Sequence, residues 1–215
     1  MDKIDDIVSI LKRKNKKYIV PIVTIVSMTK GPFAVLISCL LSLRTKDKVT
    51  GEASNRLFKL ADNPETMLGL STKSIEKTIY PVGFYKTKAK RIKEICKTLL
   101  DDYEGVVPDD IDELLKLKGV GRKTANLTVT LGYGKLGICV DTHVHRISNR
   151  LGLVTTKTPD QTEFVLRKTL PQKHWLIYND LLVTYGQNLC VPVSPWCSKC
   201  RIFKYCKRIG VVKSR

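Results

Sequence analysis

Two short stretches of this chain set reactive residue types at a spacing that chemistry can use. The first is Leu115-Lys-Leu-Lys-Gly-Val-Gly-Arg-Lys-Thr-Ala125, two glycines around a valine followed at once by Arg122 and Lys123. Glycines at 119 and 121 permit a tight bend with φ > 0. The backbone N–H groups of Gly119, Gly121 and the next turn would then point outward at a helix start, where they suit a phosphate and read no base sequence. Lys123 falls in the first turn of that helix. The positive helix end and Arg122 disfavour a second ammonium there, and an amine held partly neutral is a nucleophile. Further on, Val140-Asp-Thr-His-Val-His-Arg146 places Asp141 as a helix N-cap. An ionised carboxylate fixed in that way can stabilise positive charge on a sugar or accept a proton. Spacing alone favours plainer readings, with Lys123 as a phosphate contact and Asp141 as a structural cap.

A third stretch carries thiols. Cys190-x6-Cys197-x2-Cys200-x5-Cys206 can close four thiolates around one metal centre. Either a structural Zn²⁺ or a [4Fe–4S] cluster fits that donor set. Zinc sites more often show two C-x2-C knuckles, and this segment has one. Cys39, Cys96 and Cys139 lie in apolar surroundings and read as core thiols.

Charge narrows the partner. Among 215 residues, 38 are Lys or Arg and 20 are Asp or Glu, a formal net charge of +18. So basic a chain usually meets a polyanion, nucleic acid first and an anionic membrane surface second. Hydrophobic residues at 43% exclude a largely disordered chain. Basic residues gather at Lys12-Arg-Lys-Asn-Lys-Lys17, at Lys86, Lys88, Lys90, Arg91 and Lys93, and from Lys199 to Arg215. Together they suggest a phosphate-binding footprint. No apolar run reaches the ~18–20 residues of a membrane helix. The mixed-charge start, Met1 to Asp6, lacks a secretion signal's apolar core, so an intracellular protein is expected.

The elements that must position these residues read as helices. Gly31-Pro32 opens an apolar run to Leu43 that suits a buried helix. Between Thr87 and Tyr103, the residues Ile92, Ile95, Cys96, Leu99 and Leu100 form an amphipathic stripe. Pro108-Asp-Asp starts a short helix. Asp141 opens another, with Val144, Ile147 and Leu151 inward and Gly152 as terminator. Thr158-Pro159-Asp160-Gln161 has the form of a capping box. Alternating strand patterns are scarce, and the expected class is all-α.

The three motifs, in this order, resemble the endonuclease III family of the helix-hairpin-helix DNA glycosylase superfamily, over about Pro32 to Cys206. The family's hairpin typically reads L-P-G-V-G-R-K-T-A, and Lys118 stands here in place of the proline. The family pairs it with V-D-T-H-V-x-R. The resemblance implies that Lys123 attacks the sugar C1′, that Asp141 is essential for that step, and that Cys190, Cys197, Cys200 and Cys206 hold a [4Fe–4S] cluster. It places Lys199, Arg201, Lys204 and Lys207 as phosphate contacts beside that cluster. It implies a six-helix helix-hairpin-helix lobe over 26–134, and an iron–sulfur cluster lobe from 1–25 and 135–215, with duplex DNA between them.

Further positions follow from the same resemblance. Leu40-Leu-Ser-Leu-Arg-Thr-Lys-Asp47 matches a segment whose glutamine fills the gap left by a flipped base, and Arg44 stands in its place. Val82-Gly-Phe-Tyr85 matches the loop whose apolar residue wedges into the duplex. Phe84 stands there, with a core aromatic as the plain alternative. His143 matches a histidine near the damaged-strand sugar, whereas His145 and His174 lack metal-like spacing and are assigned no role. The implied activity is excision of oxidised pyrimidines from duplex DNA, followed by strand cleavage by β-elimination at the abasic site, by a monomer. Two alternatives stay open: a non-catalytic DNA-binding module, and a glycosylase for mismatched or oxidised purines.

Overall fold

Caps and apolar stripes set the helix boundaries in the computed structural model of the chain, which describes residues 3–15 and 22–215. Lys16 and Lys17 of the first basic run, and the Met1-Asp2 start, lie outside the described residues. The expected all-α class holds, with twelve α-helices and no strand among the described residues. The helices form two compact units, Ile22–Gly137, and Met1–Pro21 with Ile138–Arg215. The expected limits were 26–134 for the first and the remainder for the second.

In the central unit, α2 (Ile22–Thr29), α3 (Pro32–Ser42) and α4 (Asp47–Leu60) lead to α5 (Pro64–Gly69) and α6 (Thr72–Ile79). Then come the long α7 (Tyr85–Tyr103), α8 (Ile111–Lys116) and α9 (Arg122–Leu127), which runs on through a π turn, Thr128–Gly132. The apolar run after Pro32 becomes α3, buried from Phe33 to Leu41. It packs against α2, α4, α7, α9 and the π turn. Leu36, Ile37 and Leu41 of α3 join Leu57, Met67, Ile75, Ile79, Ile92, Ile95 and Leu99 in one core. Short helices start on side-chain caps that occupy N–H groups the helix cannot pair itself. Asn63 accepts from Thr66 N–H at 2.9 Å, Ser71 from Ser74 N–H at 3.1 Å and Asp110 from Asp112 N–H at 2.8 Å.

The other unit joins α1 (Lys3–Asn15) to α10 (Thr142–Leu151), α11 (Pro159–Thr169) and α12 (Trp175–Asn188). Short turns then follow at Cys197–Lys199 and Phe203–Tyr205. Ile7, Leu11, Ile147, Leu166, Tyr178 and Leu182 fill its core. Burial pushes the Tyr178 phenol up to about 12, and its hydroxyl pairs with Ser148 Oγ at 3.0 Å. Gly152 ends α10 at φ +70, as its place after Leu151 demands. Thr158 caps α11 on Gln161 N–H at 3.2 Å. The box does not close as expected, because the Gln161 carbonyl accepts from Lys157 N–H at 2.9 Å. No helix among the described residues is long and apolar enough to cross a membrane.

Polar contacts fasten α1 within its unit. Asn15 donates to Leu181 O at 2.8 Å, and Tyr205 donates to Asp6 Oδ2 at 2.9 Å. Asp5 lies 2.8 Å from Lys173 Nζ and 2.6 Å from His174 Nε2, so His174, given no role by the sequence, pins the first helix. Hydrogen bonds from Lys173 and then His174 hold the Asp5 carboxyl below its ordinary value of 3.8. Such a group stabilises the fold above that value and loses its contribution as pH falls through the lower, folded-state value. Asp5→Asn is therefore expected to melt earlier than the parent chain at pH 6. The gap should narrow as pH drops below 3.8, read by thermal scans at both ends.

Candidate functional site

In the central unit the hairpin forms between α8 and α9. Leu117 N–H bonds back to Leu114 O at 3.2 Å, and Val120 N–H to Leu117 O at 3.0 Å. Val120 is buried and anchors the bend, while Gly119 takes φ +83, which favours glycine. A Cβ at Gly121 would meet nothing within 4 Å, so the chain is bare on that side. The first helical bond runs from Ala125 N–H to Gly121 O at 3.0 Å, which puts Arg122 and Lys123 in the opening turn as expected. Both are half-buried. Cys39 on α3 is fully buried, and burial pushes its thiol up to about 12 against the opposing charge of Lys123. The lysine thus sits over the apolar α3.

Arg44 and Phe84 reach the same face as the hairpin. Together with Gly119, Leu40, Leu43 and Arg91 they line a pocket of about 420 Å³. Both carry left-handed backbone, Arg44 at φ +54 and Phe84 at φ +58. Phe84 is 62% exposed, which excludes the core-aromatic reading, and the Arg44 guanidinium lies 5.6 Å from its ring centre.

The second basic run needs correction. Lys86 and Lys90 are exposed, but Lys88 is buried, and burial pushes its ammonium down to about 8. Lys93 donates to Leu68 O and, at 2.6 Å, to Leu70 O. Both serve carbonyls inside the fold, not a phosphate surface. The sequence held a signal for the first, since Lys88 stands four residues before Ile92 and so on the apolar stripe.

In the other unit Asp141 caps α10, as expected. Its Oδ1 accepts from His143 N–H at 2.8 Å and Val144 N–H at 2.9 Å. Both bonds use one oxygen, so the cap makes no call on Oδ2. His143 Nδ1 lies 3.0 Å from Arg146 Nη2, which also donates to Cys190 O at 2.8 Å and Gly186 O at 3.2 Å. A Cβ at Gly186 would stand 2.5 Å from His143 Nδ1, so α12 passes the histidine closely. Neither Gly186 nor this clamp was foreseen from sequence.

The four C-terminal cysteines line one small cavity of about 30 Å³ with Arg150, Tyr185, Trp196 and Arg208. Tyr185 donates to Cys200 Sγ at 3.2 Å, Arg150 to Cys190 Sγ at 3.3 Å and Arg208 N–H to Cys206 Sγ at 3.4 Å. Arg150, 8% exposed, also holds Val191 O at 2.8 Å and Pro192 O at 2.6 Å. Burial raises the Cys200 and Cys206 thiols. Among the described residues, no three His, Cys, Asp or Glu are gathered as for a single metal ion. The donor set still fits a thiolate-bound centre: four sulfurs facing one cavity, no carboxylate lining it, and donors and cations around it. Lys199, Arg201, Lys204 and Lys207 are exposed, with Lys199 4.6 Å above the Trp196 ring.

Comparison with known proteins places the chain in one family. Residues 37–172 match the family described as "HhH-GPD superfamily base excision DNA repair protein". Endonuclease III of Thermotoga maritima is 46% identical over 176 residues, covering 82% of this chain and 83% of that protein. An Arabidopsis thaliana chloroplastic endonuclease III homologue is 42% identical over 83% of this chain, which spans about half of it, 49%. Two solved structures superpose closely. A non-covalent endonuclease III–DNA complex gives a TM-score of 0.85 at 32% identity, over 97% of this chain and 96% of that one. A trapped endonuclease III–DNA covalent intermediate gives 0.79 at 36% identity, over 83% and 84%. The hairpin with its lysine, the capping aspartate and the thiol-lined cavity therefore sit in a chain that belongs to the HhH-GPD superfamily of base excision DNA repair proteins, among the endonuclease III DNA glycosylases and abasic-site lyases.

Proposed function

We propose that this chain removes oxidised pyrimidines from duplex DNA and then cuts the strand, with Lys123 as nucleophile and Asp141 as its carboxylate partner. The observation that carries the reading is Lys123 in the first turn after the glycine bend, in the unit where Arg44, Phe84 and Gly119 share a pocket. A damaged base leaves the stack and enters the enzyme. The Lys123 amine attacks C1′, and the base departs with the electron pair of the broken C1′–N bond. Asp141 stabilises the positive charge that develops on the sugar and takes up the proton that the amine loses on bonding to C1′. The opened sugar and Lys123 form a Schiff base. A proton then leaves C2′, its electron pair forms the new double bond, and the C3′–O bond breaks to release the 3′ phosphate. Gly119, Gly121 and Arg122 hold the backbone, His143 lies near the damaged-strand sugar, and Arg44 and Phe84 enter the opened duplex. The protein acts as a monomer on damaged or abasic DNA.

Cys190, Cys197, Cys200 and Cys206 would hold a [4Fe–4S] cluster. When bound, the group supplies a rigid, anionic centre that fixes the surrounding loop. Lys199, Arg201, Lys204 and Lys207 meet phosphates from that loop, while Arg150 and Tyr185 satisfy its sulfurs and carbonyls.

Borohydride reduction in the presence of damaged duplex should yield a covalent adduct with the parent chain and none with Lys123→Gln. Full adduct yield in that variant would overturn the assignment. Asp141→Asn should lose roughly 10²–10⁴-fold in excision, the usual scale for an acid–base group, with duplex binding kept. A panel of oxidised pyrimidine, oxidised purine and mismatched duplexes reads the substrate class, and preference for the purines would reassign it.

Gly119→Ala places a side chain at φ +83 and crowds Arg91 at 2.7 Å. A cost of about 1–2 kcal/mol in urea unfolding is expected, with weaker duplex binding by fluorescence anisotropy. Purified protein should be brown and carry iron with acid-labile sulfide, both lost in Cys197→Ser. Zinc without sulfide would overturn the cluster.

A further inference from the structure

α7 opens with a lysine that the sequence groups with exposed neighbours but the fold takes inside. Lys88 is 8% exposed. Its ammonium donates to Leu41 O at 2.9 Å, to Leu43 O at 2.6 Å and to Thr45 Oγ1 at 3.3 Å. An ammonium has three protons, and here three acceptors come from one short segment, the end of α3 and the turn after it. A cation at that place also meets the negative end of the α3 dipole.

The same segment carries Arg44, and the turn facing it carries Phe84, both left-handed. Such backbone is unfavourable for a non-glycine residue, so it persists only where the surroundings impose it. The imposing contacts can be named. The Thr45 hydroxyl accepts from Gly83 N–H at 3.1 Å as well as from Lys88, and donates to Leu43 O at 3.2 Å. A Cβ at Gly83 would stand 2.6 Å from Arg44 O, so the two turns touch where that atom is missing. Lys88 is the buried charge at the centre of this junction. The two side chains it steadies, Arg44 and Phe84, are exposed and line one pocket.

We propose that Lys88 is a positioning residue for duplex opening: its ammonium locks the Arg44 and Phe84 turns together, so both side chains enter the base stack without first being ordered. The inference rests on the reading of this face as the duplex contact. Lys88 touches no reacting atom. It acts by removing the conformational cost of arranging two loops at the moment of binding. Its charge matters as well as its length, because a neutral group of similar shape leaves Leu41 O, Leu43 O and Thr45 Oγ1 without their common donor.

Two substrates that share the lyase chemistry test this. One is a duplex with an oxidised pyrimidine, which must be opened. The other is a single strand with a ready-made abasic site, where nothing needs opening. Lys88→Met is expected to lose at least tenfold in kcat/KM on the duplex while single-strand cleavage changes less than twofold. 2-Aminopurine facing the lesion should brighten on binding the parent chain and stay dim with the variant. Equal losses on both substrates, or undiminished duplex cleavage, would overturn the proposal. Should Lys88→Met not fold, Thr45→Val removes the hydroxyl shared with Gly83, and a duplex-only loss of at least threefold is the expected reading. A parent chain inactive on both substrates would sink the glycosylase–lyase reading instead. The 2-aminopurine signal would still decide the role of Lys88.

Discussion

A helix end leaves backbone N–H or C=O groups that the helix itself cannot pair, and the residues proposed for function in this chain sit at such ends. Lys123 lies in the opening turn of α9, and Asp141 is the residue that caps α10. Arg44 follows the carboxyl end of α3, and Phe84 immediately precedes α7. Folding therefore places these residues in the same act that completes the helices. Asp141 shows the economy of the arrangement. One carboxylate oxygen holds two N–H groups and fixes the side chain, and the cap makes no call on the other.

The parts of this plan that depend on neighbours in sequence were legible there. Asp141 before an apolar-periodic segment and Gly152 after it mark a helix by local chemistry alone, and α10 runs between them. The hairpin was legible because only glycine adopts φ +83 freely at 119. The conformations of Arg44 and Phe84 were not, because nothing in either residue type asks for left-handed backbone. That demand comes from Lys88, Thr45 and Gly83, which meet only in the folded chain. Arg150 was equally opaque. It reads as a basic residue in the last turn of α10, yet its guanidinium is buried among the carbonyls of 190–192.

These internal cations change how the net charge of +18 is understood. Lys88, Lys93, Arg146 and Arg150 donate to main-chain carbonyls and hold turns in place. The charge left at the surface is the exposed remainder, including Lys86 and Lys90 at the start of α7 and the lysines around the thiol cavity. A count of basic residues describes long-range attraction to a polyanion, while the buried minority describes how firmly the contact surface is held.

Gly186 carries a different kind of consequence. With Nδ1 of His143 and the Arg146 guanidinium so close to where a methyl group would project, any side chain at that point would force His143 to shift. Glycine is favoured here even though the residue contributes no side-chain atom. A survey of all single substitutions would find in the last turn of α12 a position constrained by clearance alone.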